Sequence, residues 1–147
     1  IVVAGHSAGG HLAAMLACCR WPQVGADLPP QLVRGALAIS GLFDLEPLRH
    51  TPFLQGDLRL TPAAVRKLSP AGFPAPSSVP LMAVVGGDES EEFLRHNELI
   101  RQAWGPQAVP VCEAIPGRHH LDVVETLGEP GSRLHGLALQ LLGVRER

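Results

Sequence analysis

Apolar positions in the chain gather into four short runs, at residues 1–4, 32–40, 79–86 and 108–115. Runs of this length, bounded by glycine and proline, predict buried strands rather than helices. Between them apolar residues recur every three or four positions. A helix is predicted from about Ala8 to Cys19, with Leu12, Met15, Leu16 and Cys19 on one face and Trp21-Pro22 stopping it. A second opens at Ser90, Glu91 and Glu92. It carries the stripe Phe93, Leu94, Asn97, Ile100, Arg101 and Trp104, and ends at Gly105-Pro106. A short helix is predicted from Asp122 to Leu127. Ser132 caps a last one with Leu134, Leu137, Ala138, Leu141 and Leu142 inward. Pro110 places the fourth strand at or near a sheet edge. Strand and helix alternate four times, which predicts the α/β class: a parallel sheet with helices on both faces. Residues 42–78 interrupt the alternation as a proline-containing excursion of loops and short helices. In it Asp44 could cap one helix, and Thr61-Pro62 opens another that runs to Leu68. Excursions of this kind shape substrate sites.

Composition narrows the function classes. At 147 residues one domain is expected, and a hydrophobic fraction of 46% suffices for a core. A net charge of −2 gives no reason to expect nucleic acid or an anionic membrane as partner, and no apolar run approaches the roughly 20 residues of a bilayer span. Three cysteines, two of them adjacent, make a poor disulfide framework and lack zinc spacing, which fits a reducing compartment such as the cytoplasm. The chain opens on a strand rather than on a basic segment followed by an apolar one, so no signal peptide is expected. Because Ile1 already lies within a predicted strand, the sequence reads as one cut from something longer. A bare strand edge recruits another strand, so self-association into a homo-oligomer is an expectation.

The first run leads directly into Gly5-His6-Ser7-Ala8-Gly9, and a helix pattern follows at once. G-x-S-x-G between strand and helix is a nucleophile elbow. The turn holds the serine in a strained conformation, and glycines at Gly5 and Gly9 remove clashes. It raises the Ser7 hydroxyl above the sheet and aims the Ala8 N–H and the helix dipole beside it, as an oxyanion donor. The bland alternative is a glycine-rich turn with an incidental serine. A serine nucleophile needs a base, and the base needs a carboxylate to fix its tautomer. In an open parallel sheet such groups lie beyond the carboxyl ends of the strands. Asp88 follows the third run and His119 and His120 follow the fourth. Asp88 is preferred as the acid over Asp44, which follows the second run, and its bland reading is an Asx turn. Glu89 reads as one residue too far round the turn, and Glu91 and Glu92 suit the helix N-terminus. His120 is preferred over His119 because Leu121 would anchor the loop with His120 turned inward. His6 is expected beneath the turn and His11 in a structural role, with His50, His96 and His135 solvated.

Gly5-His6-Ser7-Ala8-Gly9-Gly10-His11-Leu12-Ala13 resembles the elbow of the α/β-hydrolase esterases, closest to the arylformamidase-like branch. Ser40 to Pro47, Leu68-Ser69-Pro70, Gly86 to Phe93 and Gly117 to Leu121 resemble segments of the same branch, so the likeness covers essentially the whole chain. It implies a partial α/β-hydrolase fold, the C-terminal half. It implies Ser7 as nucleophile, Asp88 as acid and His120 as base. It further implies a small-molecule substrate, an aryl formamide such as N-formylkynurenine, and no metal or organic cofactor. Members of the branch complete the oxyanion hole with a His-Gly-Gly loop, a stretch these 147 residues lack. Leu42, Phe43, Phe53 and Phe73 are candidate walls for the aryl ring. The alternatives are a general carboxylesterase and, in a different class, a non-catalytic binding module of the same fold.

Overall fold

The computed structural model describes residues 1–144. Its centre is a four-stranded parallel sheet in the order β1-β2-β3-β4, formed by Val2–His6, Gly35–Ile39, Leu81–Gly86 and Val111–Ile115. Among the described residues β1 pairs with β2 alone and β4 with β3 alone, so each lies at an edge; for β4 this agrees with Pro110. The two inner strands are buried at every position, which is why they read as unbroken apolar runs.

Side chains alternate across β2 and β3 and so divide the core. Ala36, Ala38, Leu81 and Ala83 face a layer built from α1 (Ala8–Ala17) and α6 (Glu91–Ala108), where Ala13, Ala14, Ala17, Ile100 and Trp104 meet them. Leu37, Ile39, Met82 and Val84 face Leu134 and Leu137 of α7 (Arg133–Leu142) together with Val123. The sheet is therefore covered on both faces, as expected for this class. Two 3₁₀ turns, Pro70–Gly72 and Val124–Gly128 (the second where a helix from Asp122 to Leu127 was expected), and the short helices α2 (Trp21–Val24), α3 (Glu46–Arg49), α4 (Pro52–Leu58) and α5 (Pro62–Leu68) complete the described elements. The last three lie in the 42–78 excursion, where Leu45, Leu60 and Val65 form a small core of their own. The Thr61 hydroxyl accepts the Ala64 N–H at 3.1 Å, capping α5 as expected, and the Ser132 hydroxyl accepts the His135 N–H at 3.1 Å, capping α7.

Three expectations need correction. The buried face of α1 is Gly10, Ala13, Ala14 and Ala17, not the larger apolar face, and Leu12 is 55% exposed. The cause is close approach: a Cβ on Gly10 would lie 2.8 Å from Gly41 Cα, so only small residues fit where α1 crosses the end of β2. Leu142 is exposed, because the inward stripe of α7 ends one position earlier, at Leu141. His96 is fully buried rather than solvated: its Nδ1 accepts the Phe43 N–H at 2.9 Å. At the other end of α6, Gly105 adopts φ 77° and breaks the helix where Gly105-Pro106 was read as its stop.

Candidate active site

β1 delivers Ser7 to a turn in which its φ is 57° and ψ −117°, a conformation rarely populated outside glycine. The turn is held by the Ser7 N–H donating to the Ile39 carbonyl at 2.8 Å. Of the two flanking glycines, Gly5 is the one the geometry requires. A Cβ there would come 2.1 Å from the Gly9 carbonyl oxygen, whereas one on Gly9 meets nothing within 4 Å. Ala8 is the first residue of α1, so its N–H has no acceptor within the helix and sits at the positive end of the dipole.

The loop after β4 brings His120 to this turn. Its Nε2 lies 3.1 Å from Ser7 Oγ, and its Nδ1 lies 2.6 Å from Glu89 Oε2. A carboxylate only accepts, so Nδ1 carries the proton and Nε2 is left to accept from the serine hydroxyl. The Glu89 side chain is fully buried and that of His120 is 28% exposed. Glu89 Oε1 accepts the Gly86 N–H at 2.8 Å and the Ser40 hydroxyl. A buried carboxylate with a donor on each oxygen is the form in which charge can be kept out of water. The His120 ring packs against Phe93, with centroids 4.2 Å apart, and against His6, 4.6 Å apart. His6 Nε2 also donates to the His120 carbonyl at 2.7 Å. His6 thus ties the residue before the nucleophile to the loop that carries the imidazole.

Asp88, the acid expected from the sequence, is exposed, and the carboxylate bonded to His120 is that of Glu89. The loops after β3 and β4 are zipped together. The Gly87 N–H donates to the Ile115 carbonyl at 2.7 Å, and the Asp88 N–H to the Arg118 carbonyl at 2.9 Å. This extends the ladder past the strand ends and turns the Asp88 side chain outward. The Glu89 N–H then folds back on the Gly86 carbonyl at 3.2 Å, and its longer side chain reaches inward. The approach requires a glycine at Gly86, where a Cβ would lie 2.4 Å from the Arg118 carbonyl oxygen. Asp44 is taken up elsewhere: Oδ1 accepts the Glu46 N–H at 3.0 Å and Oδ2 lies 3.5 Å from Arg95.

His120 turns inward, but not for the expected reason. Leu121 is 69% exposed and anchors nothing. The loop is held by His6 and by the backbone bonds just described. His119 points to solvent, where its Nδ1 accepts the Leu121 N–H at 3.2 Å. His11 Nε2 donates to the Leu68 carbonyl at 2.8 Å, a link between α1 and the end of α5. Thiols offer no rival nucleophile at two of three positions: burial is the main cause that pushes Cys18 and Cys112 up to about 11. The expected aryl walls do not assemble. Phe43 is fully buried against His96. Phe73 lines a 450 Å³ cavity with Trp21 and Ser78, at the end of the sheet where β3 begins. Phe53 is 80% exposed. Sequence reasoning weighed Glu89 and set it aside, and it missed Ser40, Phe93 and the part of His6. The signal for Ser40 was a lone hydroxyl closing an otherwise apolar run.

No family model matches the chain. Kynurenine formamidase of Danio rerio is 29% identical over 149 residues, which cover 97% of this chain and 50% of that protein. A structure from Silicibacter sp. TM1040, solved as a candidate thioesterase, is 33% identical with a TM-score of 0.76, covering 91% of this chain and 48% of the other. The acetyl ester-xyloside bifunctional hydrolase of Caldicellulosiruptor lactoaceticus, at 19% identity and a TM-score of 0.67, shares the fold over 99% of this chain and 58% of its own. The chain spans about half the length of the curated relatives it matches. No helix among the described residues is long and apolar enough to cross a membrane. The chain has a partial α/β-hydrolase fold, and its sequence is similar to kynurenine formamidase over about half of that protein's length.

Proposed function

We propose that the chain carries the catalytic groups of a serine hydrolase that cleaves an aryl formamide through an acyl-enzyme. The proposed substrate is N-formylkynurenine, giving kynurenine and formate. The observation that carries this reading is the relay Ser7–His120–Glu89, at 3.1 and 2.6 Å. Ser7 Oγ attacks the formyl carbon while His120 Nε2 takes its proton. Glu89 stabilises the imidazolium that forms, and His120 returns the proton to the leaving aryl amine. Water then repeats the sequence on the formyl ester. Ala8 N–H is placed to receive charge on the carbonyl oxygen. The described residues supply this single backbone donor, and a second one is worth about 100- to 1,000-fold in rate. Three free thiols suit a cytoplasmic setting, which belongs to the same proposal.

The missing aryl slot favours a second reading, a general carboxylesterase. A formyl group needs almost no acyl pocket, whereas a roomy apolar pocket gains about 0.8 kcal/mol for each buried methylene. The test is a p-nitrophenyl ester series from formyl to butyryl, run beside N-formylkynurenine. Formamide cleavage, with kcat/KM falling as the acyl chain lengthens, is expected. Rates that rise with acyl length, with no formamide cleavage, would leave the carboxylesterase.

A further inference from the structure

β2 is followed by a residue whose backbone is in the wrong region for its side chain. Ser40 has φ 50°, and it is followed, not replaced, by a glycine. The left-handed region suits glycine and penalises residues with a Cβ. Ser40 is also almost fully buried, at 1% exposure. A residue continuing the extended alternation would point with Ala36 and Ala38 into the α1–α6 layer. At φ 50° the hydroxyl instead meets Glu89 Oε1. Strain and a buried hydroxyl therefore converge on one contact.

The backbone around Ser40 joins the same parts. Its N–H donates to the Val84 carbonyl at 2.7 Å, fixing it to β3 two residues before Gly86. The carbonyl just before it, Ile39, accepts the Ser7 N–H at 2.8 Å. The end of β2 thus lies between the serine turn and the acid turn and is bonded to both. Resting on the serine-hydrolase reading above, we infer that Ser40 is a positioning residue. Its hydroxyl and the Gly86 N–H hold Glu89 Oε1, so that Oε2 is presented to His120 Nδ1. Without the hydroxyl the carboxylate keeps only the Gly86 N–H on that oxygen and is held less firmly. An acid carried one residue further round the turn, on a longer side chain, needs such a second hold. Charge-assisted bonds of this kind are the strong ones.

The experiment uses the full chain and a fluorophosphonate probe, with the rate of Ser7 labelling followed against pH. Ser40→Ala removes the hydroxyl and keeps the Cβ. Ser40→Gly removes it while accepting φ 50° freely, so it carries the test should the alanine variant not fold. Both are expected to slow labelling about 10- to 100-fold, the worth of a hydrogen bond to a charged group. The pH profile should change as well, since the carboxylate that orients the base is held by one donor fewer. In a Glu89→Gln background either change should have little further effect, because Ser40 acts through that carboxylate. Unchanged rate and profile in folded Ser40→Gly, or an equal loss with and without Glu89, would overturn the inference. A wild-type chain that is folded and unlabelled at Ser7 would remove the serine-hydrolase reading itself. That failure is seen before any Ser40 variant is made.

Discussion

Glu89→Gln is the substitution that separates the geometry from the sequence expectation. The amide keeps the size of the carboxylate, and its oxygen can still accept from Gly86 and Ser40. Its NH2 would then face His120 Nδ1 at the 2.6 Å contact now made by Oε2. Two donors cannot share that contact, so the imidazole must present Nδ1 as an acceptor and carry its proton on Nε2. Nε2 is the atom 3.1 Å from Ser7 Oγ, and a protonated Nε2 cannot take the serine proton. The base is then held in the wrong tautomer, and the stabilising charge is lost as well. A change of this type costs about 1,000- to 10,000-fold, which is about 4–5.5 kcal/mol of barrier. Glu89→Asp retracts the carboxylate by about one C–C bond, 1.5 Å. Misplacement on that scale costs about 100-fold. Asp88→Asn should change the rate less than about 2-fold, as expected for an exposed surface position. The assay is the second-order rate of fluorophosphonate labelling at Ser7, with thermal melts to show that each variant is folded. Loss in Asp88→Asn equal to that in Glu89→Gln would refute the assignment of the acid and restore the sequence expectation.

Three further outcomes are expected. His120→Ala should abolish labelling at Ser7, while His119→Ala, which removes an exposed ring, should leave it within a few-fold; the reverse order would exchange the two histidines. Burial holds His96 below its ordinary value of 6.5 despite the opposing pull of Glu92, so the unfolded chain binds the proton more readily. Stability should be level above about pH 6.5 and fall below it, and His96→Asn, which can still accept the Phe43 N–H, should flatten that fall in urea melts; an unchanged slope would clear His96 as the cause. The edge of β1 and the exposed Leu12 should drive self-association of the 147-residue chain, read as a concentration-dependent mass in sedimentation; a monodisperse monomer at high concentration would contradict it.

The architecture was legible because it rests on periodicity. Four apolar runs became four parallel strands, and each of the three longer runs shed the residues at its start, where the ladder pairing has not yet begun. Helix faces were less legible. Periodicity finds an apolar stripe but not the distance at which the helix packs. On α1 the larger stripe stayed partly outside because glycine and alanine let the backbone approach β2. His96 was misread for a related reason: it lies one position before Asn97 on the inward side of α6, and the backbone N–H that satisfies it comes from Phe43, far away in sequence.

The site shows where local reading stops. Ser7 was found because an elbow is a local object, with strand, tight turn and helix contiguous. His120 turns inward as expected but on a different support, since the anchor lies across the sheet in His6 and not next door in Leu121. The acid failed because strand ends are not where ladders end. Backbone bonds from Gly87 and Asp88 to the loop after β4 carry the pairing on, so the first carboxylate faces out and the second folds in. Whether Asp88 or Glu89 meets the imidazole is therefore decided by a loop some 30 residues away in sequence, and by one hydroxyl at the end of β2. The acid position is a property of three strand ends packed side by side, which explains why a one-residue shift along the chain can be absorbed by a longer side chain and a strained serine.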